Sequence, residues 1–242
     1  MRKADIKIEV GERRLAGRFL EPGTGWPGVL FVHGWAGSQK RDEKRSRYIA
    51  RLGCICLTFD MRGHGLTQED QTRVTRADNL ADIRAAYDKL ASHPAIDASS
   101  IAVVGSSYGA YLSAYLTAER DVRWLAMRVP ALYRDDDWDV PKHALDRHDL
   151  QLYRSRQVPL KTNRALRQCQ KFRGDVLIVE SENDELVPHP TIASYLASFG
   201  NARSITHRII DGADHALSEP ESRRSYDDLL TRWLREMILN AR

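Results

Sequence analysis

The stretch Ile101-Ala-Val-Val-Gly-Ser-Ser-Tyr-Gly-Ala110 decides the reading of this chain. Four apolar residues, Ile101 to Val104, form a short run typical of a strand covered on both faces. Gly105-Ser106-Ser107-Tyr108-Gly109 follows, and the small apolar segment Ala110 to Ala118 then reads as a helix. A G-x-S-x-G sequence between a strand and a helix predicts a sharp turn that lifts a strained serine above the sheet edge. Side chains at positions 105 and 109 would collide with so tight a turn, which explains the two glycines. Their offsets select Ser107, because Ser106 lacks a second glycine at the right distance. The competing reading is a plain glycine–serine turn, so the rest of the chain must discriminate.

Similar apolar runs occur at Gly28–Val32, Cys54–Phe59, Trp124–Val129, Val176–Val179 and Ile205–Ile210. Helical patterns lie between them at Ser38–Leu52, with Ser38 as the expected cap, at Ala77–Leu90 ending before His93-Pro94, and at Ile192–Phe199; Tyr226–Ile238 closes the series. Alternation of this kind predicts βαβ units and one doubly wound, mostly parallel sheet. Ahead of it, Ile6, Ile8 and Val10 alternate, as do Leu15 and Phe19 beyond Gly11-Glu12, which reads as an antiparallel pair. One stretch, residues 130–174, follows a strand without containing one, and it is expected to be a small helical lid inserted in a single domain spanning residues 1–242. It contains Asp135, Asp136, Asp137 and Asp139 among Tyr133, Trp138 and Tyr153.

The 242 residues, 42% hydrophobic and 29% charged, suit one soluble domain. The formal charge is +4. Basic residues are spread along the sequence, densest at Gln39–Arg51 where Asp42 and Glu43 interrupt them, and they read as solvated faces rather than a nucleic-acid footprint. Cys54, Cys56 and Cys169 give no disulfide framework and read as buried thiols. The N-terminus has no apolar signal core and no run approaches a membrane span, so the expected location is cytoplasmic, without a membrane partner. Glycine patterns for phosphate or dinucleotide binding are absent, and His143 and His148 lack the spacing of a helical ligand pair. No cofactor and no metal are expected, and His189 and His207 read as isolated. Oligomeric state is not encoded legibly.

A serine hydroxyl needs a neighbouring base before it can attack. Asp184, in Glu180-Ser-Glu-Asn-Asp184, and His215, in Asp211-Gly-Ala-Asp-His215, each follow a strand and sit where loops leave the carboxyl edge of a parallel sheet. Serine, acid and histidine thus occur in the order that such an elbow requires. Asp135, Asp136, Asp137 and Asp214 compete for the role of the acid. An oxyanion would be held by the N–H of Tyr108, after the nucleophile, and by that of Trp35 in the His33-Gly-Trp-Ala-Gly37 loop.

Together, HGW, DMRGHG at 60–65, GSSYG, ESENDELVP and GADHAL resemble the α/β-hydrolase superfamily, in particular its compact esterases and its dienelactone-hydrolase-like and acyl-peptidase-like members. The resemblance, from Gly28 through Trp233, implies an α/β-hydrolase fold with an eight-stranded sheet and a Ser107–His215–Asp184 triad. It also implies a mainly structural role for Asp60, Arg62, Gly63 and Gly65. Thr67 stands where relatives often carry serine. Ser107 in place of cysteine argues against dienelactone hydrolysis itself. The expected substrate is a small acyl or aromatic ester, with Tyr133 and Trp138 of the lid touching it. A thioesterase or an aminopeptidase-like amide hydrolase on the same triad is the alternative, and a non-catalytic binding protein on the same scaffold is a rival of another class.

Overall fold

The computed structural model describes residues 2–21 and 27–240. The ends of the expected 1–242 domain, and residues 22–26, lie outside the described residues. Eight strands form one sheet in the order β1-β2-β4-β3-β5-β6-β7-β8. β1 (Arg2–Val10) and β2 (Arg13–Glu21) form the expected antiparallel pair, and β2 meets β4 (Ile55–Phe59) antiparallel as well. β3 (Gly28–Val32), β5 (Ile101–Ser106), β6 (Trp124–Arg128), β7 (Asp175–Ser181) and β8 (Ser204–Ile210) continue the sheet in parallel with β4.

The central strands are buried along their whole length, and for that reason their sequences run apolar without alternation. β8 is an edge strand and stays half exposed, with Ile205 and Ile209 open to solvent. One face carries α2 (Arg76–Ala91), α3 (Tyr108–Leu116), α5 (Arg164–Lys171) and α6 (His189–Ser198). The other carries α1 (Gln39–Ala50) and α7 (Pro220–Leu239), whose Ile49, Tyr226, Leu230 and Trp233 cover Val29, Phe31 and Leu177. The layers are thus one sheet between two sets of helices.

Two local details place functional loops. Ser38 makes no capping hydrogen bond to α1, contrary to expectation; the Gln39 N–H instead donates to Asp60 Oδ1 at 2.7 Å. α2 opens with a reciprocal cap, in which Thr75 Oγ1 accepts the Asp78 N–H and Asp78 accepts the Thr75 N–H. Asp82 of that helix, fully buried, then receives the main-chain N–H and the guanidinium of Arg62 at 2.9 and 2.8 Å. The loop after β4 is therefore anchored at both ends.

Residues 130–174 are helical, as expected, with α4 (Arg147–Arg154), α5 and two short 3₁₀ turns. They do not stand off as a lid over Ser107. α5 packs on α3 and α6 and supplies the crossover between β6 and β7. Buried Arg154 clamps α4 to the body, donating to the carbonyls of Leu132 at 2.9 Å and Leu186 at 3.0 Å. Val158 N–H donates to Ser194 Oγ of α6 at 2.9 Å.

Candidate active site

Ser107 occupies the turn between β5 and α3 with φ 50° and ψ −112°, a conformation that L residues avoid. Close approach enforces it. A Cβ on Gly105 would lie 2.6 Å from Ala110 Cα, and one on Gly109 would overlap the carbonyl oxygens of Val32 and His33. The strained turn lifts the Ser107 side chain out of the sheet.

The loop after β8 brings His215 Nε2 to 3.1 Å from Ser107 Oγ. The loop after β7 brings Asp184 Oδ2 to 2.7 Å from His215 Nδ1. Asp184 is nearly buried, and its other oxygen accepts the N–H groups of Leu186 at 2.9 Å and Val187 at 2.8 Å. Those two donors fix the carboxylate plane and leave Oδ2 for the histidine. The network assigns the proton to Nδ1, so that Nε2 accepts the serine O–H. Two of the competing aspartates are engaged elsewhere. Asp214 accepts the N–H and hydroxyl of Ser218 at 2.7 and 2.5 Å, and Asp135 Oδ2 accepts the Arg164 N–H at 2.8 Å.

Tyr108 is the first residue of α3, where a main-chain N–H has no intrahelical partner. Its side chain points down into the core, donating to Asn79 Oδ1 at 3.1 Å. The 33–37 loop runs alongside: a Cβ on Gly34 would sit 3.4 Å from Ser107 Cβ. Trp35, half buried, meets the Tyr108 and His64 rings edge-on at 5.4 and 4.9 Å.

Two buried histidines shape this loop. His33 Nδ1–H donates to Gly34 O at 2.8 Å and Nε2 accepts the Met61 N–H at 3.1 Å. His64, which sequence reasoning passed over, donates from Nδ1 to Arg62 O at 3.2 Å and accepts the Ala36 N–H on Nε2 at 3.1 Å. Ala36 has φ 59°, so this hydrogen bond holds the strained residue next to Trp35. Burial, followed by the charge of His33, pushes His64 down to about 4, and burial lowers His33 too. Both rings are neutral at pH 7, as acceptors must be. The only sequence signal for His64 was its place in DMRGHG.

Tyr133 and Trp138, expected against substrate, are placed elsewhere. Tyr133 is buried edge-on to Tyr108 and Tyr111 at 5.9 and 4.8 Å, and Trp138 lies against Tyr115 at 4.9 Å, beside Arg76 and Arg164. Aromatic rings without a hydrogen-bonded polar tip facing the cleft gain more by packing under α3 than by facing water. The cleft that holds Ser107 and His215, about 1410 Å³, is lined instead by the 33–45 segment, β1, β2 and the start of α7. His189 and His207 are not isolated, since both hydrogen-bond Glu180, at 2.9 and 3.1 Å. Among the described residues no group of His, Cys, Asp or Glu is arranged to hold a metal ion, and no helix is long and apolar enough to cross a membrane.

The model of the alpha/beta hydrolase family matches residues 29–225, and the chain belongs to that family. An uncharacterised protein of Mycobacterium tuberculosis is 26% identical over 237 residues, covering 96% of this chain and 79% of its own. Among solved structures, a dienelactone hydrolase from Anabaena variabilis superposes with a TM-score of 0.70 at 19% identity, covering 98% of both chains. Est1E from Butyrivibrio proteoclasticus, solved with ferulic acid bound, gives 0.73 at 19% identity over 97% of this chain and 98% of its own. Those likenesses establish the alpha/beta hydrolase fold, an eight-stranded and mostly parallel sheet with helices, and membership of the family supports hydrolase activity.

Proposed function

We propose that the protein is a serine hydrolase of carboxylesterase type, with Ser107 as nucleophile, His215 as base and Asp184 as its orienting partner. The observation that carries this reading is the unbroken hydrogen-bonded chain from Ser107 Oγ through His215 to Asp184, at 3.1 and 2.7 Å. His215 Nε2 takes the hydroxyl proton as Oγ bonds to the ester carbonyl carbon, and Asp184 stabilises the imidazolium without accepting its proton. The carbonyl oxygen becomes an oxyanion facing the N–H groups of Tyr108 and Trp35. His215 then gives its proton to the leaving alkoxide, the C–O bond breaks, and an acyl-Ser107 ester remains. Water, deprotonated by His215, releases the acid and regenerates the serine.

An acyl-enzyme of this kind serves esters and thioesters equally. A small or aromatic ester is the preferred substrate: the cleft is open, and a neighbour of the same fold, Est1E, is known with an aromatic acid bound. The amide alternative drew on acidic residues receiving an amine, and Asp135–Asp139 are not among the residues lining this cleft.

Ser107→Ala is expected to abolish turnover of 4-nitrophenyl butyrate and labelling by a neutral fluorophosphonate, while leaving the melting temperature within a few degrees. Wild-type labelling and turnover in that variant would remove the assignment. An unlabelled, inactive wild-type protein would favour the non-catalytic binding protein.

A further inference from the structure

The basic stretch Gln39–Arg51 is helix α1, and its first turns form a wall of the Ser107 cleft. Nine Lys and Arg side chains line this cleft against five carboxylates. The excess of four equals the formal net charge of the whole chain, +4, so the rest of the molecule is balanced. Positive charge is therefore gathered at the one cavity that contains the nucleophile.

Pairing sharpens the imbalance. Asp5 and Glu43 bind Arg18 at 2.5 and 2.7 Å, and Asp42 and Asp227 both bind Arg45 at 2.8 Å. Asp60 accepts the N–H and the side-chain amide of Gln39. All five carboxylates are thus engaged. By contrast Lys40 and Lys44 on α1 and Arg224 on α7 are exposed and have no ion-pair partner among the described residues. Arg41 and Arg223 reach only main-chain oxygens, of Ala216 at 3.4 Å and of Leu217 and Ser218 at 2.8 and 2.6 Å. Arg128 lies deepest, only 8% exposed; it donates to the carbonyl of His215 at 2.9 Å and has no carboxylate within ion-pair distance among the described residues.

We propose that this cleft selects esters or thioesters that carry an anionic group, a carboxylate or a phosphate, which lies along the α1–α7 wall while the scissile carbonyl meets Ser107. The inference rests on the hydrolase reading and adds its substrate class. A concave surface with an excess of one sign concentrates oppositely charged substrate, and one buried guanidinium at its base gives that field a fixed centre. Exposed cations act more weakly and through solvent, so their share must fall with salt.

Two matched pairs test it: 4-nitrophenyl hydrogen glutarate against its methyl ester, with the anion on the acyl side, and 4-acetoxyphenyl phosphate against phenyl acetate, with the anion on the leaving group. At about 10 mM ionic strength, the anionic member of at least one pair should show kcat/KM about tenfold higher. This advantage should shrink to about twofold at 0.5 M salt, where the Debye length is only about 4 Å. In a Lys40→Gln, Lys44→Gln, Arg224→Gln variant, the anionic-to-neutral ratio at low salt should fall severalfold. The salt series on the wild-type protein stands alone if that variant does not fold. Equal rates within both pairs, or a preference indifferent to salt, would overturn the inference. Neutral fluorophosphonate labelling separates the two claims: a labelled protein without anionic preference loses only this inference, whereas an unlabelled one loses the hydrolase reading beneath it.

Discussion

His64 should make the protein acid-labile in a way that one substitution removes. Its ring is 2% exposed and its ionisation is depressed to about 4, chiefly by burial and next by the charge of His33. In the unfolded chain the same ring titrates near 6.5. Above pH 6.5 neither state is protonated there and the group contributes no pH dependence. Between 6.5 and about 4 the unfolded state binds a proton that the native state refuses, so stability declines as pH falls. A gap of about 2.5 units corresponds to about 3 kcal/mol over that window. Carboxylates such as Asp175 and Asp214, held low by their partners, add losses of the same sign, so the comparison must be differential. His64→Gln keeps an acceptor for the Ala36 N–H and a donor for Arg62 O but cannot titrate. Urea unfolding at pH 7, 6, 5 and 4.5 should find the variant less stable at pH 7, by about 1–2 kcal/mol from lost packing. The difference should narrow on acidification, cross zero between about pH 6 and pH 5, and leave the variant the more stable protein at pH 4.5. A constant difference across the series would refute the buried, neutral His64 on which the description of the 33–37 loop depends.

Other consequences are equally direct. Gly109→Ala pushes a methyl group into the carbonyl oxygens of Val32 and His33, and should cost about 3 kcal/mol in unfolding free energy, read by denaturant titration, with most of the fluorophosphonate labelling lost. Arg154→Ala leaves the buried carbonyl of Leu132 and the partly buried one of Leu186 without their donor; a loss of about 2–3 kcal/mol, a fall in Tm of about 5–10 °C by calorimetry, is expected. Burial pushes the Cys54 thiol up to about 12 and raises Cys56 and Cys169 as well, so a disulfide reagent at pH 8 should modify no thiol in the native protein and three in urea.

The sheet was legible because burial on both faces writes itself into sequence as uninterrupted apolar runs, and each such run became a strand within one or two residues. The three residues of the proposed triad could be picked out because each sits one loop beyond a strand, where the order of elements fixes the location. What the sequence hid was direction. Nothing local to 130–174 tells a lid from a crossover, since both are amphipathic helices; the difference is made by Thr191 and Ser194 of α6, whose hydroxyls bond Arg154 O and the Val158 N–H from a distance. Tyr133 and Trp138 were misdirected for the same reason. His64 escaped notice because its role lies in one acceptor nitrogen aimed at Ala36, 28 residues earlier in the chain. The basic run at 39–51 was read as a solvated face, and it is solvated, but the water it faces is that of the cleft.

Strain points to the same edge of the sheet. Among the described residues, the non-glycine positions with positive φ are Ala36, Ser107, Val129 and Leu217. They follow β3, β5, β6 and β8, all at the carboxyl ends of parallel strands. Each costs of order 1 kcal/mol or more and persists only where surrounding contacts dictate it. Val129 is the most telling, because a β-branched residue tolerates this region least; it is fully buried, and its N–H donates to Val179 O at 2.7 Å. A fold selected for stability alone would have glycine at such turns. Here one serine and three further side chains are held in unfavourable conformations at one edge of the sheet, while the opposite edge shows none among the described residues. Since the turn at Ser107 cannot relax without moving Gly34 and Ala131, whose N–H donates to Ser107 O at 3.1 Å, the strain is shared between loops and not local to any. That sharing is how a preorganised site is kept rigid, and it leaves the proposed selection of anionic substrates to the side chains of α1 and α7, which carry none of this backbone strain.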